Sequence, residues 1–263
     1  MPKSDGSTMK LATWNVNSLK VRLPQVLDWL ARQRPEVLCL QETKLEDASF
    51  PAAAFNEAGY QVLFSGQRTY NGVAIVSRAA ASEPVAAIPG LDDHQKRLLA
   101  ATINGVRIVC VYVPNGESVG SEKYQYKLKW LAALGDWLAR ELRRFPRLAV
   151  LGDFNVAPED RDVHDPGLWE GRVLFSKPER DAFAALLAAG LKDAFRLFDQ
   201  PAGSYTWWDY RMNAFRRKMG LRIDHILLSA ELARSCTACA IDLEPRKAER
   251  PSDHAPVIAT LAL

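Results

Sequence analysis

Short apolar runs recur along the chain, at Lys10–Trp14, Val37–Leu40, Val73–Val76, Val106–Val113, Leu148–Leu151, Ile223–Leu228 and Val257–Leu261. Runs of this length, rich in Val, Ile and Leu, predict β-strands, and those with almost no polar position predict strands covered on both faces. Helical spacing separates some of them. Val26, Leu27 and Leu30 share a face after Pro24, which is expected in the first turn of a helix. Leu128, Leu131, Leu134, Leu138 and Leu142 step by three or four along a longer one. Ser176-Lys177-Pro178-Glu179 has the form of a capping box, opening a helix that buries Phe183, Leu186 and Leu187. Strand–helix alternation early and hairpin-like pairs in the middle favour a mixed sheet with outer helices. Two long stretches, Asp153–Lys177 and Asp199–Arg222, are rich in Pro, Gly, charge and aromatics and predict functional loops.

The apolar runs meet polar residues abruptly. Asn15 follows the first, Gln41-Glu42 the second, and Asp153-Phe154-Asn155 the run that closes at Leu151. Asp253-His254 precedes the last, and Asp224 enters an otherwise apolar strand. One Asn or Asp at a strand end commonly makes a turn; five such places on one sheet point to a site. In extended chain Asp153 and Asn155 would point the same way. Gathered carboxylates repel and raise one another's pKa unless a cation sits among them. Oxygen ligands used together with a substrate phosphate select Mg²⁺ rather than zinc. Asn and His donate to phosphate oxygens, an Asp orients the His, and a further carboxylate aligns a water. The chemistry these residue types support is metal-assisted hydrolysis of a phosphoester.

Composition narrows the setting. The 263 residues carry 34 basic and 31 acidic side chains, a net charge of +3 too mild to require a nucleic-acid partner by itself. A polar leader over residues 1–8 is followed by a single domain over 9–263, with no repeat or linker. No stretch approaches the ~20 apolar residues of a membrane span. Four cysteines are too few for a disulfide framework and suit a reducing cytoplasm. Cys236 and Cys239 look like half a zinc site, but positions three apart in a strand face opposite ways, so the pair is expected to be structural. Charge is concentrated locally: Arg211, Arg216, Arg217, Lys218 and Arg222 follow Trp207, Trp208 and Tyr210 with no acid between Arg211 and Arg222. Basic and aromatic groups on one loop favour the grip of a nucleic-acid strand. Arg140, Arg143, Arg144 and Arg147 close a long helix instead, where cations suit the dipole.

With these residues in view, the chain resembles the exonuclease III family of DNA-repair nucleases, within the endonuclease/exonuclease/phosphatase superfamily. The resemblance runs from Met9 to Leu263. It rests on Ala12–Leu19, Leu40-Gln41-Glu42-Thr43-Lys44, Asn71–Ile75, Val111–Gly116, Leu151–Pro158, Gly220–His225 and Ser252–Val257. It implies a deoxyribonuclease I-like four-layer α/β sandwich, two packed mixed sheets with helices outside. It implies that Glu42 is the principal metal ligand, with Asn15, Asn17 and Asp253 near the ion, which would be Mg²⁺ with Mn²⁺ able to substitute. It gives Asp153 the attacking water, Asn155 and Tyr112 the phosphate, and His254 the scissile phosphate, oriented by Asp224; either Asp153 or His254 could be the base. Trp207 falls at an aromatic position lining the pocket for an abasic sugar, and Leu221, which matches the bacterial members, is expected to meet DNA beside it. The implied partner is duplex DNA with abasic sites, nicks or 3′ ends, met by a monomer in the bacterial cytoplasm beside the nucleoid. Two other readings compete: a phosphomonoesterase or lipid phosphodiesterase of another branch, and a non-catalytic DNA-binding relative. The basic-aromatic loop and the Leu-Gln-Glu-Thr-Lys segment oppose the first, and the complete acidic set opposes the second.

Overall fold

The computed structural model describes residues 8–263. The expected leader over residues 1–8 lies outside them, apart from Thr8, which opens the first strand. Among the described residues twelve strands form two six-stranded sheets. One sheet contains β1 (Thr8–Asn15), β2 (Val37–Gln41), β3 (Gln61–Ser65), β4 (Val73–Ser77), β11 (Cys236–Ile241) and β12 (Val257–Ala262), in the order β11-β12-β1-β2-β4-β3. The other contains β5 (Ser82–Val85), β6 (Leu98–Ile103), β7 (Val106–Tyr112), β8 (Leu148–Asp153), β9 (Leu191–Asp193) and β10 (Asp224–Ser229), in the order β5-β6-β7-β8-β10-β9. Within each sheet one central pair is parallel, β1 with β2 and β7 with β8, and the remaining pairs are antiparallel.

The sheets face each other across a core that includes Leu11, Cys39, Ile75, Cys110, Leu151, Ile226 and Ala259. Helices α1 (Leu19–Gln33), α2 (Ala52–Glu57), α3 (Glu122–Arg144) and α5 (Lys177–Ala188) cover the outer faces, while α4 (Pro166–Trp169) lies in the loop after β8 and α6 (Ala230–Ser235) packs Leu232 into the core between the sheets. α1 packs Val26, Trp29 and Leu30 on the first sheet, and α3 and α5 pack Leu134, Leu138 and Phe183 on the second. This is the four-layer sandwich expected above. The central strands are apolar along their length because both of their faces are covered.

All four edge strands, β3, β5, β9 and β11, escape the reading by apolar runs, as does β6 beside an edge. An edge strand is half-solvated or short and needs no continuous apolar run. Pro24 is also displaced from its expected place. α1 begins at Leu19 and carries Pro24 inside it, because the backbone N–H groups of Ser18 and Leu19 donate to Glu42 and Thr43 at the end of β2 and fix the start earlier. Cys236 and Cys239 provide a third correction. A bulge between Cys236 and Ala238 shifts the register, so Cys236 faces Leu261 and Cys239 faces Ala259 on the same core side. Both remain free thiols.

Candidate active site

The register gathers the polar strand ends at one rim of the sandwich. In the second sheet Tyr112 and Asp224 both stand opposite Asp153, on either side of it. In the first, Asn15 stands opposite Gln41, which delivers Glu42 one residue later. β8 and β7 approach so closely here that a Cβ on Gly152 would lie 1.9 Å from the Val111 carbonyl oxygen, so glycine is required before Asp153. The segment before β12 is sewn to β1: Ser252 Oγ donates to the Asn15 carbonyl at 2.7 Å, and Trp14 Nε1 donates to the His254 carbonyl at 3.2 Å.

Glu42, Asp153 and His254 offer ligand-type atoms that all lie within 4.8 Å of one another. A single amide ties the two carboxylates, since Asn15 Nδ2 donates to Glu42 Oε1 at 3.0 Å and to Asp153 Oδ2 at 2.9 Å. Burial is the first cause that pushes Asp153 up, to about 7; the Asp224 charge adds to this, while His254 and the bond from Asn15 oppose it. His254 Nδ1 lies 2.8 Å from Asp224 Oδ2, and its Nε2 lies 3.8 Å from Asp153 Oδ2. Burial alone would lower the imidazole, but the Asp224 and Asp153 charges outweigh it and carry it up to about 10. His254 is therefore a cation at neutral pH and points its free nitrogen into the site. Tyr112 also reaches the cluster, its phenol pushed up first by burial and then by the charges of Glu42 and Asp153.

These oxygens suit a hard divalent cation: two carboxylates share one amide, and one of them is held uncomfortably in its charged form by burial. Glu42 and Asp153 would hold such an ion, with Asn15 orienting both. Asn17 and Asp253 are engaged otherwise. Asp253 accepts from Asn17 Nδ2 at 3.0 Å and from Trp207 Nε1 at 3.0 Å, while Asn17 Oδ1 accepts from Lys44 Nζ at 2.5 Å. The site also concentrates backbone strain. Asn17, Glu42, Lys44 and Asn155 all have left-handed φ, near 42–54°, a cost sustained where the surroundings over-determine it. Asn155 therefore does not follow Asp153 in extended chain as the alternation suggested; its N–H turns back to Asp153 Oδ1 at 2.9 Å. Its side chain accepts from Asn115 Nδ2 at 3.2 Å and donates to the Val113 carbonyl at 3.0 Å.

Two cations had no role in the sequence reading. Lys44, two residues beyond Glu42, pairs with it at 2.9 Å. Arg97 lies 4.7 Å over the Tyr112 ring and donates to the Tyr112 carbonyl at 3.2 Å. It lines a cleft of about 590 Å³ with Gln67, Tyr70, Asn71, Asn115 and Lys123. The signal for Arg97 was its place at the entry to β6, an element that was itself missed.

The loop after Trp207 divides. Arg216, Arg217 and Lys218 are exposed. Arg211 is exposed but paired with Asp209 at 2.7 Å, an acid standing just before the run. Three residues expected to meet DNA are interior, and the structure corrects their assignment. Arg222 is 1% exposed and is clamped by Asp162 at 2.6 Å and Asp193 at 2.8 Å, so its charge is already neutralised. Trp208 is buried against Phe215 and Arg246, which leaves it no free face. Leu221 is fully buried, exchanging backbone hydrogen bonds with Trp207 and packing with Val163 and Ile223. Trp207 itself is half-buried at the rim. His225 points away from Asp224, toward Arg222 and the Val156 carbonyl; burial and the Arg222 charge lower it to about 3, so it stays neutral.

Two packed mixed sheets with an acid–amide–imidazole cluster at one rim define a class, and the chain belongs to the endonuclease/exonuclease/phosphatase family, whose pattern matches residues 12–254. Within it the chain is a hydrolase of the exonuclease III/AP endonuclease type. The solved structure of the Neisseria 3′ phosphatase NExo, bound to a product DNA hairpin, is 49% identical, with a TM-score of 0.95 over 97% of this chain and 100% of that one. An AP endonuclease from Archaeoglobus fulgidus is 40% identical, with a TM-score of 0.93 over 97% of this chain and 100% of that one. The exodeoxyribonuclease III of Haemophilus influenzae is 34% identical over 95% of this chain and 99% of its own length. No described helix is long and apolar enough to cross a membrane.

Proposed function

We propose that the chain is a Mg²⁺-dependent DNA phosphodiesterase of base-excision repair that works chiefly at 3′ ends of duplex DNA. The observation that carries this reading is the pair Glu42 and Asp153, bridged by Asn15 and facing an imidazolium on Asp224. A divalent ion held by Glu42 and Asp153 would supply Lewis-acid polarisation of the phosphate. His254, charged at working pH, faces the phosphate oxygens where negative charge builds. Asp153, held by Asn15 and 3.8 Å from His254 Nε2, is the carboxylate placed to take a proton from the attacking water. Tyr112 and Asn155 steady the phosphate oxygens beside it. The Neisseria relative, a 3′ phosphatase with a DNA hairpin, supports the substrate. Abasic-site cleavage is the second reading, supported by the Archaeoglobus AP endonuclease. End processing is preferred because the Neisseria 3′ phosphatase is 49% identical to this chain, against 40% for the AP endonuclease.

The test uses three duplexes, one with a 3′-phosphate, one with a recessed 3′-hydroxyl and one with an internal abasic site. With Mg²⁺, phosphate and mononucleotides should be released fastest from the first two, and EDTA should stop release. DNA binding without cleavage, or cleavage that survives EDTA, would remove this reading. Hydrolysis of inositol phosphates in place of DNA would move the chain to another branch.

The loop makes a separate prediction. Replacing Arg216, Arg217 and Lys218 together by Gln should weaken DNA binding at low salt. It should also flatten the slope of log K against log salt by about 0.9 for each phosphate that the loop no longer neutralises. A slope equal to that of the wild type would show that the three side chains are simply solvated.

A further inference from the structure

The apolar stripe of α3 contains one cation. Lys127 stands three residues after Tyr124 and four before Leu131, all of them buried, and its side chain has no exposure. Its ammonium has an acceptor for each hydrogen: the Asn115 carbonyl at 3.0 Å, the Asn155 carbonyl at 2.6 Å and Glu179 Oε1 at 2.5 Å. Glu179 is equally enclosed and accepts from the N–H groups of Leu174 and Ser176 and from Ser176 Oγ. Stability alone does not account for such a pair, because a buried ion pair commonly does no better than apolar side chains of the same volume. The two carbonyls it grips are more informative. They belong to Asn115 and Asn155, whose side chains bond each other at the site. Asn155 holds a left-handed backbone at φ 50°, two residues past Asp153.

We propose that Lys127 is a positioning residue for phosphoester hydrolysis, pinning the turns at 113–116 and 153–155 so that Asn115 and Asn155 stay fixed beside Asp153. Glu179 anchors the arrangement to the N-terminus of α5 through its capping box with Ser176. This inference rests on the reading of the site as a phosphoester hydrolase.

The test must separate positioning from folding. Lys127→Met alone would strand the Glu179 carboxylate, so the main variant is the double change Lys127→Met with Glu179→Met, which removes both charges at similar volume. Lys127→Gln is measured beside it as a smaller perturbation that keeps an N–H donor. Wild-type hydrolysis of the 3′-phosphate duplex is measured first, and its absence would count against the site reading rather than against Lys127. With the wild type active and the variants melting near it, kcat should fall about 30- to 100-fold in the double variant and about tenfold in Lys127→Gln, with KM within about threefold, because loosened geometry costs rate more than binding. A kcat within about threefold of wild type in either folded variant would overturn the positioning role.

Discussion

Replacing Glu42 by Gln is expected to lower turnover about a thousandfold, the scale of several kcal/mol of charge stabilisation supplied by an ion, while the protein stays folded. Glu42 is partly exposed, with a side-chain exposure of 18%, so losing its charge strands nothing in the interior. Gln keeps the shape and can still accept from Asn15 Nδ2. What changes is that one of the two carboxylates able to hold a divalent cation becomes neutral, and Lys44 loses its ion-pair partner while keeping its bond to Asn17. The variant should therefore need far more Mg²⁺ for half-maximal rate and should bind Mn²⁺ more weakly by calorimetry. A wild-type rate and a wild-type Mg²⁺ titration in Glu42→Gln would refute the metal assignment.

The Asp224–His254 pair carries the second large effect. Asp224→Asn removes a charge that sits 2.8 Å from Nδ1, and His254→Asn removes the cation itself. Each should cost about 10²- to 10³-fold in kcat, the usual loss when one preorganised donor to developing charge is deleted. The double variant should be no worse than roughly the poorer single, because the two act as one unit. The pH profile supplies an independent check. His254 is held up to about 10 by Asp224 and Asp153, so the wild type keeps its imidazolium well above neutrality. Without Asp224 the folded-state value must fall, and the alkaline limb of kcat should move to lower pH. The sign for stability is the same. A raised imidazole stabilises the fold fully below its unfolded value near 6.5 and loses that contribution as pH rises toward 10. Multiplicative losses, or an alkaline limb that does not move, would dissolve the pair.

Most of the chemistry was legible because it stands where an apolar run stops. Asn15 and Asp153 each end a central strand and Glu42 directly follows one, and a side chain at that place leaves the core for a rim. The central strands themselves are readable because both of their faces are buried, which forces apolar residues at every position. The edge strands are not, since a half-solvated or very short strand need not be apolar. The form of Ser176–Glu179 was readable for a local reason: a helix start needs its own N–H groups satisfied within one turn.

Burial of charge is a long-range property, and there the sequence reading of Arg222 failed. Its position in a basic run says surface; its partners Asp162 and Asp193 lie 60 and 29 residues before it in the chain. Nothing within a few residues of Arg222 announces them. Lys127 shows the same limit in milder form, because a Lys on an apolar helix stripe is visible in the sequence but its acceptors, on three other segments, are not. Cys236 changes face because of one bulge in β11, and Asn155 leaves extended geometry to satisfy Asp153. The sequence by itself thus determined a mixed sheet with outer helices, the strand ends and the types of group that meet there, through rules that act over one face or one turn, whereas the two-sheet sandwich was implied only by the family resemblance. Tertiary structure alone decided which charges are free for a substrate and which are consumed in holding the site, because a charge taken from water must find its counter-charge in space, wherever the chain supplies it.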